Sequence, residues 1–307
     1  MRWPLNKDFA FTIIDDTDNA TLQNIAPVYD YLQSKNFKTT KTIWVYPPRD
    51  IFNGKTIQDQ DYLSFLLNLE NHGFEIQMHN VGSGKFTRNE IIEGLNIFKT
   101  HFDRYPSMHI NHSFNPDNIY WGHKRFGILL RSLIKLFKGK SRMFYGDETE
   151  SKYFWGDLTK KHIKFIRNRV FNDINTLKMD PKMPYKESYK SLYSNYWFSS
   201  SDGHTLEEFN DITKGSNIDK LKKEKGLSII YTHFASGFVD SEGKLNDTFK
   251  KNMDYLSKQN GWFVPASEIL DYLLSQKENH NTNSLYLNKL DLIWLIDRIK
   301  KRLKYGR

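Results

Sequence analysis

The sequence predicts an α/β fold built on a parallel sheet. Short runs of strand-forming apolar residues alternate with helical patterns along most of the chain. The first run is FAFTII (residues 9–14), and the pattern after it places Ile25, Val28, Tyr29 and Leu32 on one helical face. Strands that alternate with helices pair in parallel through right-handed crossovers. Periodicity alone leaves open whether such a sheet stays open or closes into a barrel.

The same alternation continues to the segment GWFVPASEILDYLL (261–274), which predicts a last short strand and helix. Residues 124–225 are basic, aromatic and less regular, and we expect barrel elements mixed with long loops there. The chain has 307 residues and 38% hydrophobic content, which is enough for a full core. The other predicted strands are 41–47, 74–80, 108–114 and 226–234, and the other predicted helices are 61–73, 87–102 and 246–260.

Composition excludes several kinds of site. The chain has no cysteine, so disulfides, zinc–thiolate centres and cysteine nucleophiles are ruled out. The start, MRWPLNKDFAF, lacks the apolar core of a signal peptide, and no window is apolar enough to span a bilayer, so we expect a cytoplasmic protein. The net charge of +9 accompanies a general richness in Lys, Asn, Ile and Tyr, and we expect no nucleic-acid partner.

Polar side chains cluster where the predicted strands end. Functional groups of parallel α/β folds gather at these carboxyl ends, because the loops there converge on one face. Each residue also has a structural explanation, since Asp often caps helices and a lone His is usually a hydrogen-bonded strand-end residue. The cluster as a whole indicates a site, and its members are Asp15, Asp16, Asp18, His79, Asn80, His109, His112, Asn115, Asp117 and His233.

Aspartate and histidine together suit a divalent metal that keeps a position open for water. Zn²⁺ is the first expectation, and Co²⁺, Ni²⁺ or Fe²⁺ fit the same ligands. A second carboxylate beside the ligand could act as general base, and a separate His could protonate the leaving group. This combination predicts a metal-assisted hydrolase.

The ordered motifs resemble those of the NodB-type polysaccharide deacetylases (carbohydrate esterase family 4). TIIDD (12–16) is similar to the family's T-F-D-D, which implies Asp15 as catalytic base and Asp16 as metal ligand. GFEIQMHNVGS (73–83) is similar to the lead into H-x-x-x-H, and implies His79 as a ligand. IIYTHF is similar to the late L-x-H motif, and implies His233 as the catalytic acid. The family fold implies a distorted (β/α)7 barrel.

Two departures from the family pattern concern the site. The second His of H-x-x-x-H is replaced by Ser83, whose hydroxyl is a poor ligand, and R-x-P-Y is missing. We expect His112 to fill the third metal position, with Asp18, solvent or no ligand as the alternatives.

The resemblance implies removal of an acetyl or other N-acyl group from a sugar by hydrolysis of a C–N amide bond. Without a signal peptide, a nucleotide- or lipid-linked intermediate of surface-polysaccharide (O-antigen or capsule) biosynthesis is the expected substrate. Aromatic faces stack on sugar rings, although packing in the core is the alternative for each Trp. The predicted substrate-binding residues are Asn80, Asn115, Trp121, Trp155 and Trp197.

The predicted organisation is a deacetylase barrel over residues 1–275, a polar linker over 276–288, and a basic amphipathic helix over 289–307. Leu292, Leu295 and Ile299 share one face of that helix with Lys and Arg around them. Such a helix suits peripheral contact with an anionic membrane at its inner face. Packing on the barrel or on a second subunit is the alternative.

Two other functions are consistent with parts of the sequence. A catalytically inactive carbohydrate-binding barrel would account for Ser83, but it has no need for an acid and a base. DTDNAT (16–21) approaches the D-x-D-x-T signature of haloacid-dehalogenase-like phosphotransferases, whose last position is Ala20 here.

Overall fold

The computed structural model describes residues 2–138 and 144–306. Its strands are β1 (Phe9–Asp15), β2 (Thr40–Ile43), β3 (Glu75–Met78), β4 (Met108–His109), β5 (Phe165–Phe171), β6 (Tyr196–Asp202), β7 (Leu227–Thr232) and β8 (Gly261–Trp262). The first seven strands pair in parallel in chain order, and β1 also pairs with β7, which closes the barrel. The short β8 pairs with the start of β1. The predicted (β/α)7 barrel is confirmed.

Helices surround the barrel. They are α1 (Leu22–Ser34), α2 (Gln60–Asn71), α3 (Arg88–Phe102), α4 (Ile128–Lys138), α5 (Gly156–His162), α6 (Thr176–Met179), α7 (Leu206–Ile212), α8 (Gly215–Lys223), α9 (Asp247–Ser257), α10 (Ala266–Ser275) and α11 (Ser284–Tyr305). Thr87 and Glu90 form the predicted capping box at the start of α3. Within the described ranges, no helix is both long enough and apolar enough to cross a bilayer.

Strand β1 is buried on both faces, as expected of a strand inside a closed barrel. Phe9 and Phe11 point outward, since both rings contact Phe263, and Phe11 also contacts Phe37. Adjacent residues of a strand point to opposite faces. Asp15 therefore continues the outward set of side chains, and Asp16 points toward the barrel mouth.

The segment 124–225, where barrel elements mixed with long loops were expected, contains two full strands, β5 and β6. Their sequences, FIRNRVF and YWFSSSD, carry polar residues at positions where an apolar run would have marked a strand. Two of those residues bind partners outside their own strand: Arg169 Nε donates to Asp291 at 2.8 Å, and Ser199 Oγ donates to Asp180 at 2.6 Å. Partners so distant in sequence leave no local periodicity.

Helix α11 packs along β5 and β6 through its charged residues. It begins at Ser284, inside the segment predicted as a linker, and Leu287 and Leu290 are buried. Asp291 pairs with Arg169, and Lys301 Nζ lies 2.9 Å from Asp202. The helix predicted as amphipathic is thus packed on the barrel through both buried leucines and ion pairs.

Candidate active site

A cleft of about 420 Å³ opens at the carboxyl ends of the barrel strands. Carboxylates, imidazoles and guanidinium groups line it together with aromatic rings. The lining includes Asp16, Asp18, Phe52, His79, Phe114, Trp121, Arg125, Arg167, His204, Tyr231, His233, Trp294 and Arg298.

Asp15 lies behind the cleft, between the barrel and the helix layer. Its carboxylate accepts hydrogen bonds from Tyr29 Oη at 3.0 Å and from the Phe234 backbone N–H at 2.9 Å. Lys41 Nζ is 2.8 Å away, and both charged side chains are fully buried. Asp15 does not line the cleft, so this geometry gives no support to its predicted role as catalytic base.

Asp16 lies in the cleft and is paired with an arginine from across the barrel mouth. Arg167 Nη1 and Nη2 donate to its two carboxylate oxygens at 3.0 and 2.5 Å, a bidentate arrangement. Burial opposes ionisation, but Arg167 outweighs it and lowers the pKa of Asp16 below its ordinary value. The structure therefore does not bring Asp16 into the group of potential metal ligands, where the resemblance had placed it.

Asp18 reaches the cleft through a tight turn after β1. Asn19 adopts a left-handed conformation (φ 60°), which Asn tolerates better than most residues. Its N–H donates to the Asn53 carbonyl at 2.7 Å, and its side-chain Oδ1 accepts from the Asn53 N–H at 3.1 Å. This turn directs the Asp18 carboxylate back over the barrel mouth.

Asp18, His79 and His112 form a candidate metal triad, with ligand atoms all within 4.8 Å of one another. His79 Nε2 is 3.4 Å from Asp18 Oδ1, and His112 Nε2 is 3.5 Å from Asp18 Oδ2. His79 follows β3, and His112 lies beyond β4, which ends at His109. The structure thus brings together two predicted ligands, His79 and His112, with Asp18 in place of Asp16.

The imidazole orientations in the triad are fixed from behind. His79 Nδ1 lies 3.0 Å from the Ile110 carbonyl, and His112 Nδ1 lies 3.1 Å from Asn115 Oδ1. Both partners are acceptors, so each neutral ring carries its proton on Nδ1 and directs the lone pair of Nε2 at Asp18. Metal-binding histidines are typically held in this way.

Two lone pairs that face a carboxylate repel it unless a cation lies between them. Among the described residues, Asp18 Oδ1 and His112 Nε2 are buried atoms without a hydrogen-bond partner. A bound proton or a bound metal ion would both satisfy them. Burial raises the pKa of Asp18, but hydrogen bonds from the neighbouring histidines in their protonated form outweigh burial and hold it well below its ordinary value. The donor set is therefore suited to a divalent cation.

His233 approaches Asp18 from the end of β7. Its Nε2 is 3.5 Å from Asp18 Oδ2, and its Nδ1 lies 3.1 Å from the His204 carbonyl. Burial disfavours the charged imidazole, but Asp18 and Asp16 outweigh this and raise the pKa of His233 to about 9. The predicted acid thus lies beside the triad and carries a proton near neutral pH.

Ser83 lies behind His112 and outside the triad. Its hydroxyl donates to the Asp50 carboxylate at 2.7 Å and is 3.5 Å from His112 Nδ1. The triad is formed by Asp18, His79 and His112, so it is complete without a ligand from Ser83.

Asn80 and Asn115 support the site from outside the cleft. Asn80 Nδ2 donates to Asp117 at 2.6 Å, and its Oδ1 accepts from the His112 N–H at 2.8 Å. Asn115 Nδ2 donates to the Gly82 carbonyl at 2.7 Å. Both residues were predicted to contact substrate. Both side chains are instead buried and help to position His112.

Only one of the three tryptophans predicted to bind substrate lines the cleft, and that is Trp121. Trp155 is buried, with its Nε1 donating to the Asp117 carbonyl at 2.6 Å. Trp197 is also buried, and its Nε1 donates to Ser194 Oγ at 3.0 Å. The turn residues near them in sequence gave a misleading signal, because both indoles face inward to the core.

The arginines of the cleft were not predicted from the sequence. Arg167 lies in β5, Arg125 precedes α4 and Arg298 belongs to α11. The one available signal was the charged FIRNRVF run, where arginines interrupt an otherwise apolar strand.

Comparison with known proteins confirms the predicted fold. No protein-family model and no curated protein matches the sequence. Among solved structures, a proposed polysaccharide deacetylase from Mycobacterium smegmatis superposes with a TM-score of 0.55 at 10% identity, over 92% of this chain and 96% of that one. The chain has a polysaccharide deacetylase fold. PuuE allantoinase superposes with a TM-score of 0.53 at 10% identity, over 89% of this chain and 93% of that one.

Proposed function

We propose that this chain is a metal-dependent hydrolase that removes an acyl group from an amide nitrogen of a sugar. The observation that carries the proposal is the convergence of Asp18, His79 and His112 beside Asp16 and His233 in one cleft. The deacetylase fold is consistent with this chemistry but supplies only the framework.

Asp18, His79 and His112 would hold the cation, which we expect to be Zn²⁺, with Co²⁺, Ni²⁺ or Fe²⁺ as alternatives. When bound there, a divalent cation polarises a carbonyl oxygen and makes water more acidic. Asn115 and the Ile110 carbonyl keep the two imidazoles in the ligating tautomer. Their effect is to preorganise the site before substrate arrives.

Asp16 is the residue suited to act as general base. It lies two positions from Asp18 on the cleft side of the chain, and Arg167 keeps it ionised and fixed in orientation. A carboxylate in this position accepts the proton that water loses as it attacks the acyl carbon. Asp15, which the resemblance assigned to this role, has its oxygens occupied by Lys41 and Tyr29.

His233 is suited to act as general acid. Its Nδ1 is held by the His204 carbonyl, so the protonated ring directs its Nε2–H into the cleft. The amine leaving group of an amide departs only after protonation, and a protonated imidazole supplies that proton. Two groups of opposite protonation state thus flank the triad.

The substrate that we propose is an N-acylated sugar linked to a nucleotide or a lipid, as an intermediate of surface-polysaccharide assembly. Trp121 offers an aromatic face to a sugar ring at the cleft. An inactive carbohydrate-binding barrel is less well supported, because the metal triad, the base and the acid are all present although Ser83 replaces a histidine.

The test is release of acetate by the purified full chain from N-acetylated nucleotide sugars and glycolipids, after repletion with Zn²⁺ or Co²⁺. We expect turnover that disappears on treatment with a chelator and returns on repletion. An Asp61→Asn variant on α2, outside the cleft, is the matched control and should be as active as the wild type. Absence of acetate release with every metal would overturn the proposal.

A further inference from the structure

The cleft holds three arginines, and two of them are paired with carboxylates. Arg167 is paired with Asp16, and Arg298 Nη2 is 2.5 Å from Asp202. Among the described residues, Arg125 forms no ion pair with a carboxylate. Its guanidinium donates instead to the Asn168 backbone carbonyl and, at 3.3 Å, to Asn168 Oδ1.

Arg125 is held among aromatic rings at the wall of the cleft. Its guanidinium carbon lies 4.1 Å from the Trp121 ring centroid and 5.7 Å from that of Trp294. Burial, together with the positive charges of Arg169 and Arg298, lowers the pKa of Arg125 to about 9. A desolvated cation next to other cations is costly to keep without a counter-ion. An anion that enters the cleft would remove that cost.

We propose that Arg125 binds a phosphate of the substrate, and that the substrate is a phosphate ester of the sugar. The proposal rests on the proposed function. The planar guanidinium donates two parallel hydrogen bonds to phosphate oxygens, and its position in the cleft places the phosphate beside the sugar. A nucleotide sugar and a lipid-linked sugar share this chemistry.

The test compares binding of phosphorylated and free sugars by titration calorimetry. The probes are UDP-N-acetylglucosamine, an octyl diphosphate ester of N-acetylglucosamine, and N-acetylglucosamine itself. We expect at least one phosphorylated probe to bind at least about tenfold more tightly than the free sugar, because charge-assisted bonds are the strong ones. The UDP and octyl probes distinguish the nucleotide source from the lipid source.

Arg125→Gln should abolish this preference, whereas Arg49→Gln should retain it. Arg49 is the matched control, since it pairs with Glu90 outside the cleft. Thermal unfolding checks that both variants fold. If no phosphorylated probe binds better than the free sugar, or if Arg125→Gln keeps the preference, the phosphate site is wrong. Binding does not require turnover, so failure to release acetate leaves this result interpretable.

A second inference comes from the outer face of α11. Its apolar residues point to solvent: Leu292 is 58% exposed, Ile299 54% and Leu303 82%. Leu285, Leu295 and Ile296 extend the stripe along the helix, and Ile128, Leu129 and Leu133 of the adjacent α4 broaden it. We call these nine residues the outer stripe. Exposed apolar area of this extent marks a binding surface.

The exposed charges of α11 itself are all positive. The two acidic residues of α11, Asp291 and Asp297, are buried, whereas Lys289, Lys300 and Arg302 are exposed. A second copy of the chain would place these cations against each other. An anionic membrane complements both the apolar stripe and its basic border. Trp294 and Arg298 of the same helix line the cleft, so the cleft lies next to this surface.

We infer that the outer stripe docks on an anionic membrane. The test is co-sedimentation of the full chain with vesicles of phosphatidylcholine alone or mixed with phosphatidylglycerol. We expect binding to the mixed vesicles only, weakened by salt, and lost in the double variant Leu292→Ser, Ile299→Ser. Leu192→Ser, at an exposed leucine that is not part of the outer stripe, is the control and should bind as wild type.

Circular dichroism and sedimentation velocity complete the test. The double variant should keep the wild-type helix content. If the wild type fails to bind the mixed vesicles, the membrane assignment is wrong. If it forms a dimer that the double variant disrupts, the surface is a protein interface instead.

Discussion

Two buried carboxylates near the end of β1, Asp15 and Asp18, have opposite kinds of surroundings. Asp15 meets Lys41 and Tyr29, partners that are present whatever the ligand. Asp18 lies 3.4 or 3.5 Å from three imidazoles, of which His79 and His112 direct an Nε2 lone pair at it and attract it only when a cation is bound. Burial of an acid therefore does not identify a functional site; a set of partners that is incomplete without a ligand does.

The largest effect should follow from changes in the acid and base beside the triad. Asp16→Asn or His233→Ala should reduce acetate release by about 10²–10⁴-fold, the usual contribution of general acid–base catalysis. Metal content should stay at the wild-type level in both variants, as measured by elemental analysis. Full activity in either variant would remove that residue from the catalytic assignment.

Asp15→Asn should act on stability instead. It leaves the fully buried Lys41 without its counter-ion, and breaking a buried pair costs about 3–5 kcal/mol. Urea unfolding measures the loss. The double variant Asp15→Asn, Lys41→Met should recover much of it, because no buried charge is then left unpaired. A fully stable Asp15→Asn variant would contradict the structural role.

Removing the support of His112 should have an intermediate effect. Asn115→Ala deletes the acceptor of the imidazole Nδ1–H, and changes of this kind typically weaken metal affinity by about 10–100-fold. Competition with a fluorescent chelator measures that affinity. Ser83→Ala is the control. The Ser83 hydroxyl donates to Asp50, so its removal should leave the metal affinity nearly unchanged.

The smallest effect concerns pH. Burial lowers the pKa of His109 to about 3, whereas the unfolded chain takes up this proton near pH 6.5. The stability contributed by neutral His109 is therefore present above pH 6.5 and is lost progressively as pH falls toward 3. Between pH 7 and 5 the loss should reach about 2 kcal/mol.

Urea unfolding at both pH values tests this, with His109→Gln expected to lose less stability on acidification than the wild type. His72→Gln, on the exposed end of α2, is the control. Equal losses of unfolding free energy in His109→Gln and the wild type would show that His109 does not contribute to the pH dependence of stability.

The strand ends of the site were predictable because they depend on local pattern. Apolar runs before Asp16, His79 and His233 mark strands whose carboxyl ends meet at the barrel mouth. Which of Asp15 and Asp16 lies in the cleft was also predictable in part, since adjacent residues point to opposite faces of a strand. The motif resemblance favoured Asp15, whereas the alternation of side chains places Asp16 in the cleft.

Other parts of the site depend on contacts that no local pattern records. Arg167 meets Asp16 from a strand 151 residues later, and its strand β5 lacks a clear apolar run. The turn at Asn19 that returns Asp18 to the cleft depends on the loop at Asn53. Trp155 and Trp121 have similar sequence surroundings, but only packing decides that one is core and the other lines the cleft.

The most direct test of the account is metal stoichiometry in a matched pair of variants, Asp18→Asn and Asp16→Asn. Each removes one charge from the same loop of the cleft. After repletion with Zn²⁺, we expect stoichiometric metal in the wild type and in Asp16→Asn, and loss of metal from Asp18→Asn. The assignment of Asp18 as the metal ligand would be contradicted if Asp18→Asn retained metal and Asp16→Asn lost it. It would also be contradicted if the wild type bound no metal.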